Sequence, residues 1–198
     1  MALKLDSEIR QEQIARAALA VVAQQGVRRL SIASVARRVG IVPSALYRHF
    51  KSKDAIIDTV LGLVRERLLE NVRAVTVAAS DPFEQLRLLL ARHLQFITEN
   101  QALPRVVFSE QVYEGRPGRR RAMFRTIQAY LDEVAAIVKR GQADGRIQKD
   151  LDPATVAVMF LGLIQPAAIL WHMSDGEFDV TQHAERAWKT FVAAIRED

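Results

Sequence analysis

Between Ser31 and Lys53 the chain gathers hydroxyl, guanidinium, imidazole and ammonium groups into one short stretch, SIASVARRVGIVPSALYRHFKSK. Side chains of this kind can donate hydrogen bonds to phosphate oxygens and base edges. Positioning on phosphate falls to Ser31, Tyr47, Lys51 and Lys53, with Arg37 and Arg38 also available, because these are hydroxyl or cationic groups at helix starts or flanks. Base-edge reading falls to Val42, Pro43, Ser44, Ala45, Arg48 and His49. Arg48 can hold a guanine through two parallel hydrogen bonds, a discrimination of about 1–3 kcal/mol, or it can simply bond a phosphate; Ala45 or Pro43 can touch a thymine methyl. Bond-making chemistry has no comparable signal: the chain lacks G-x-G-x-x-G, G-x-x-x-x-G-K, G-x-S-x-G and H-E-x-x-H, so it does not read as an enzyme.

Two short helices must present these groups. Ile32, Val35, Ala36 and Val39 fall at i, i+3, i+4 and i+7, an apolar stripe that predicts a helix capped by Ser31 and ended by Gly40. Only Ile41 and Val42 intervene before Pro43, whose fixed φ and missing N–H suit the first position of a second helix. There Leu46 and Phe50 lie one turn apart and can pack inward, leaving Ser44, Ala45, Tyr47, Arg48 and His49 on the other faces. Helix, tight turn around a glycine, helix is the DNA-reading helix-turn-helix.

The same residues carry a resemblance. Ser31-Ile32, Val35-Ala36, Gly40-Ile41 and the run Leu46-Tyr47-Arg48-His49-Phe50-Lys51-Ser52-Lys53 resemble the N-terminal domain of the tetracycline-repressor (TetR) family, over about residues 8 to 60. Val42 departs from that pattern, because the family usually has Ser or Thr there as the cap of the recognition helix. Loss of a cap costs on the order of 1 kcal/mol unless Pro43 or packing compensates.

Charge is uneven along the chain. Residues 1–53 hold ten Lys/Arg against three Asp/Glu, a balance of +7, and residues 54–198 hold eighteen against twenty, a balance of −2. A phosphate-docking domain joined to a nearly neutral one has this asymmetry. With no cysteine, disulfides, thiolate zinc sites and thiol redox sensing are excluded. His49, His93, His172 and His183 show no ligand spacing, so neither metal nor cofactor is expected. Ala154 to Trp171 runs eighteen residues without a charge, the threshold for a membrane span. It contains Gly162, Gln165 and Pro166, its flanks are mainly acidic, and Met1 to Gln13 lacks the apolar core of a signal peptide. The expectation is a cytoplasmic protein with a nearly all-round buried helix, not a membrane protein.

Apolar periodicity predicts helices throughout and strands nowhere. Ile14, Ala17, Ala18, Val21 and Val22 stripe a first helix stopped by Gly26. Ser52 can cap a long helix from Asp54 to about Arg73, roughly 30 Å at 1.5 Å per residue, with Ile57, Val60, Leu61, Val64 and Leu68 inward. Asp81-Pro82 starts the next, carrying Leu86, Leu89, Leu90, His93, Leu94 and Ile97. Pro104 opens a short helix that ends by Gly115. A helix with Met123, Ile127, Tyr130, Leu131, Val134 and Val138 follows, broken by Gly141 and Gly145. Asp152-Pro153 starts a helix that Pro166 should kink, and Thr181 begins the last one. The expected architecture is all-α, about nine helices: an N-terminal three-helix helix-turn-helix domain, residues 1–53, and a helical effector-binding and dimerisation domain, residues 54–198.

Val156 to Trp171 and Ala184 to Ile195 are wider in apolar surface than one packing face needs. A symmetric dimer would supply the second surface, and a palindromic operator would require the same two-fold axis. The resemblance implies the same interface, a homodimer through the last two helices bound to double-stranded DNA.

His93, Phe96, Phe108, Met123, Ile127, Tyr130, Phe160, Gln165 and Trp171 are candidates for enclosing a small apolar or aromatic effector, with Tyr130, Gln165 and His93 as polar anchors. Ordinary core packing is the competing reading for each. Arg116, Arg119, Arg120 and Arg121 form the densest basic cluster outside the DNA end, either a solvated loop face or a place to recruit an anionic effector. What the resemblance implies is a ligand-gated repressor: an effector shifts the long fourth helix and changes the separation of two recognition helices, which sit roughly 34–36 Å apart on DNA. The alternative is a ligand-independent DNA-binding architectural or protein-recruiting factor of the same fold.

Overall fold

The structure is a computed structural model that describes residues 2–197, with side chains described from residue 11 onward. Among the described residues the chain forms α1 (Ala2–Gln25), a 3₁₀ turn (Val27–Arg29), α2 (Ile32–Val39), α3 (Pro43–Tyr47), α4 (Lys53–Ala78), α5 (Pro82–Glu99), α6 (Leu103–Val107), α7 (Glu110–Tyr113), α8 (Pro117–Ala143), α9 (Pro153–Met173) and α10 (Val180–Ile195). There is no strand among them, only an isolated antiparallel bridge between Ile147 and Arg196. The fold is all-α, as the periodicity requires.

Backbone contacts divide the chain into two compact units, Met1–Glu66 with Asn100–Met123, and Arg67–Glu99 with Phe124–Asp198. In the first, α1 lies against α2, the 3₁₀ turn and α6, while α2 lies against α3 and α7 against the 3₁₀ turn. Ile14 and Ala15 of α1, Val35 and Ala36 of α2, Leu46 of α3 and Ile56 of α4 are fully enclosed. In the second, α9 lies against α10 and α5, and α10 against α5. Its centre holds Leu86, Leu89, Val134, Ile137, Phe160, Ile164 and Ile195, with the Phe191 ring 5.9 Å from both Phe160 and Trp188.

Several boundaries differ from the sequence expectation for identifiable reasons. The segment opened by Pro104 is two helices, α6 and α7, parted at Phe108 and Ser109. Gly141 does not break α8, which runs on to Ala143. A Cβ built there would lie 2.6 Å from Ile147 Cδ1 and 3.2 Å from Pro82 Cβ, so this glycine admits a neighbour rather than ending a helix. Gly145, at φ 65°, makes the turn. α9 continues through Pro166 to Met173. The last helix starts at Val180, capped by Asp179, whose Oδ1 accepts from Gln182 N at 2.9 Å.

Candidate nucleic-acid interface

Local chemistry fixes the helix-turn-helix. Ser31 and Ser34 form a reciprocal capping box: Ser34 N donates to Ser31 Oγ at 3.1 Å and Ser31 N to Ser34 Oγ at 2.9 Å, so two orphan amides at the start of α2 are satisfied. Gly40 ends the helix in the left-handed region, φ 79° and ψ 28°, where a side chain would be strained. The amide of Ile41 donates back to Ala36 O at 3.0 Å, closing the turn. Val42 then adopts extended backbone without offering a side-chain cap, and Pro43 takes the first helical position.

α3 is only five residues long, shorter than Leu46 and Phe50 as a pair suggest, though Leu46 O still accepts from the amides of His49 and Phe50. Leu46 and Phe50 are buried at 0% and 4% exposure, which turns the opposite face outward: Val42 is 64% and Tyr47 52% exposed. Pro43, Ser44, Arg48, His49 and Lys51 are exposed too, as are Ser31, Arg37 and Arg38, and Ala45 is half-buried. The candidate phosphate and base contacts therefore share the solvent side of one short helix and its flanks.

Lys53 differs from the others. Its Nζ donates to Val27 O at 2.7 Å and Arg28 O at 3.4 Å, so two of its three N–H donors hold the 3₁₀ turn that precedes α2. Ser52 caps α4, accepting from Ala55 N at 3.2 Å.

The basic cluster at the start of α8 is not a free cationic face. Arg119, a buried guanidinium, donates through Nε to Asp58 Oδ1 at 2.7 Å, through Nη2 to Asp54 Oδ1 at 2.9 Å, and through Nη1 to Val112 O at 2.7 Å. Arg116 Nη2 donates to the other Asp54 oxygen at 2.7 Å, and Arg120 pairs with Glu110 at 3.0 Å while its guanidinium stands 5.8 Å over the Tyr113 ring. Hydrogen bonds from Arg116 and then Arg119 hold the Asp54 carboxyl below the usual carboxylate range. For Arg119, burial disfavours the charge, and the bonds it donates to Asp58 and Asp54 outweigh it, so its pKa is raised. An open cleft of about 670 Å³ beside these residues is lined by Glu110 and Glu114 as well as Arg116, Arg120 and Arg121, a mixed lining in place of the anion-recruiting patch considered from sequence. Asp54 and Asp58, one turn apart, were invisible as partners because Arg119 lies more than sixty residues away.

Of the candidate effector residues, Phe108 and Met123 belong to the first unit and the other seven to the second. His93 and Tyr130 meet: Nδ1 and the hydroxyl lie 3.1 Å apart, in a hydrogen bond whose donor is set by the imidazole tautomer, with the rings edge to face at 5.3 Å. Burial pushes the His93 pKa down to about 4 and the Tyr130 pKa up, so both are neutral at pH 7. Phe160 is packed against Phe191; Met123 is buried, Phe96, Ile127, Gln165 and Trp171 are half-buried, and Phe108 is 54% exposed.

Among the described residues the chain is all-α, and its helix-turn-helix turns α3 to solvent as a DNA-binding regulator does. The sequence matches the family described as "Bacterial regulatory proteins, tetR family" over residues 14–60 and "Tetracyclin repressor-like, C-terminal domain" over residues 79–195, and the chain belongs to the TetR family. Members are regulatory proteins, not enzymes. Among curated relatives it is similar to the nucleoid occlusion factor SlmA of Yersinia enterocolitica, 26% identical over 191 residues, covering 94% of this chain and 95% of that one. Among solved structures it resembles the fatty acid degradation regulator FadR of Bacillus halodurans, TM-score 0.79 at 20% identity over 92% of this chain and 94% of that one. FadR of Bacillus subtilis, in complex with stearoyl-CoA, gives TM-score 0.74 at 22% identity over 93% and 98%.

Proposed function

We propose that this TetR-family protein is an effector-responsive transcriptional repressor that binds a palindromic operator in the cytoplasm as a homodimer and leaves it when a small apolar or aromatic ligand binds. The observation that carries the DNA half is the division of α3 into a buried Leu46 side and an exposed side bearing Val42, Pro43, Ser44, Tyr47, Arg48 and His49. Arg48 and His49, with Ser44 and Ala45, read base edges; Ser31, Arg37, Tyr47, Lys51 and the remaining donor of Lys53 hold phosphates.

The dimer is supported by α9. Thr155, Val158, Met159, Gly162, Pro166, Ile169, Leu170 and Met173 are all exposed and recur every three to four residues, with Val158-Met159 and Ile169-Leu170 as adjacent pairs, a second stripe opposite the buried Val156, Ala157, Phe160, Ile164, Ala167 and Ala168. This helix is long and apolar enough to cross a membrane by composition, but a self-complementary partner helix covers the outer stripe equally well, and Gly162 at its middle lets the two backbones approach. α10 contributes less than its sequence suggests, since Gln182, Glu185, Arg186 and Lys189 face outward. For the effector, the second unit offers Phe96, Ile127, Phe160 and Trp171 as apolar wall and His93, Tyr130 and Gln165 as polar groups; the stearoyl-CoA complex of a fold neighbour is consistent with an amphipathic occupant.

Whole-genome footprinting with purified protein, repeated with long-chain acyl-CoA and aromatic hydrophobes, tests the reading. Protected inverted repeats that are lost as a ligand is titrated support it. Protection that no ligand relieves favours the second reading, a DNA-bound recruiting factor, which the near full-length similarity to nucleoid occlusion factors supports.

A further inference from the structure

We infer that Arg119 is a positioning residue for DNA reading: it locks the start of α4, the helix that directly follows the helix-turn-helix, against α7. The inference rests on the DNA-reading role proposed above.

Its side chain is 6% exposed, and a buried guanidinium persists only where its donors are matched. Here they are matched to two helices at once. Asp54 and Asp58 sit at i and i+4 on α4, and Arg119 bonds both, at 2.9 and 2.7 Å, together with the Asp54 carbonyl at 3.3 Å. Two attachment points one turn apart fix both the roll and the axial position of a helix, which a single contact cannot do. The planar fork of Arg suits this; the point charge of Lys does not. Arg119 is in turn held by Val112 O of α7 at 2.7 Å.

The bonds continue beyond Asp54. Its neighbour Lys53 reaches the carbonyls of Val27 and Arg28 in the 3₁₀ turn, α7 packs on that same turn, and Arg105 of α6 donates to Ala23 O near the end of α1 at 3.0 Å. Residues 100–123 belong to the same compact unit as α1 to α3, although more than fifty residues separate the two segments in sequence. The guanidinium is enclosed while its carboxylate partners Asp54 and Asp58 are 40% and 60% exposed, so the pairs add little net stability and act through geometry: that of the start of α4 against α7 and the start of α8.

The test uses full-length protein and operators selected by the wild type from random duplexes, with the spacing between half-sites then changed by one base pair. For Arg119→Gln the preference for the selected spacing falls about tenfold, while affinity for a single half-site changes by less than about twofold. Arg119→Lys behaves like Arg119→Gln, separating geometry from charge, and Asp58→Ala gives a smaller loss of about threefold in the same direction. Arg120→Gln, at an exposed pair, leaves the preference unchanged. A folded Arg119→Gln with wild-type spacing preference overturns the inference. If that variant fails to fold, unchanged preference in both Arg119→Lys and Asp58→Ala overturns it. A wild type that selects no inverted motif defeats the DNA reading itself, a distinct outcome.

Discussion

Lys51 and Lys53 are cations two residues apart with different duties. Lys51 is exposed, whereas Lys53 is bonded to the carbonyls of Val27 and Arg28. Lys51→Ala should flatten the dependence of log K on log salt by about one unit, the loss of one phosphate contact, and leave thermal unfolding unchanged. Lys53→Ala should also destabilise the fold by about 1 kcal/mol, since the part-buried Val27 carbonyl loses its 2.7 Å charge-assisted bond and keeps only the longer one from Leu30 N. Filter-binding at several salt concentrations and thermal melts separate the two.

His93 sets a pH dependence at the same scale. Its folded pKa of about 4 lies below the unfolded value of 6.5 because burial penalises the imidazolium. Between those values the unfolded chain binds a proton that the native one excludes, so stability is full above pH 6.5 and falls as pH drops towards 4, at about 1.4 kcal/mol per unit. The double variant His93→Phe with Tyr130→Phe, which leaves neither group of the 3.1 Å pair orphaned, should remove that slope in urea titrations across this window.

At the scale of elements, capping and close packing decide outcomes. Gly141→Ala places a methyl 2.6 Å from Ile147 Cδ1; overpacking of this kind costs about 1–3 kcal/mol, and Ile147→Val in the same chain should recover part of it in the melting temperature. The helix-turn-helix was legible because its signals are local: Ser31 as cap, Gly40 as stop and Pro43 as start act within a few residues of themselves. Val42 as an unserved cap was legible for the same reason, and Val42→Ser should stabilise α3 by about 1 kcal/mol in melting experiments. Gly141 was misread because a glycine in a helical pattern has the same sequence signature whether it ends the helix or admits a neighbour, and Ile147 and Pro82 are brought to it only by tertiary structure. In the arginine cluster Arg116, Arg120 and Arg121 are exposed, as a solvated face requires, and only Arg119 departs: composition does not show the carboxylates of Asp54 and Asp58 that it meets within the unit.

For the whole molecule, symmetry is the central matter. The outer stripe of α9, with Val158 57%, Met159 48%, Ile169 46% and Met173 76% exposed, is a contiguous apolar surface that a lone chain would leave to water, and covering it with its own copy generates the two-fold axis that a palindrome requires. Ile169→Glu with Met159→Lys should yield a folded monomer by sedimentation at micromolar concentration and, with one reading head per particle, should lose operator binding while keeping weak, salt-sensitive affinity for any duplex.

The most direct measurement is selection of duplexes from a random pool by the wild-type protein at moderate ionic strength, followed by sizing of the bound complex. The account predicts an enriched inverted repeat with half-site centres about one helical turn apart and two protomers per duplex. Enrichment of no motif, or of a single unrepeated half-site bound by one protomer, would contradict it.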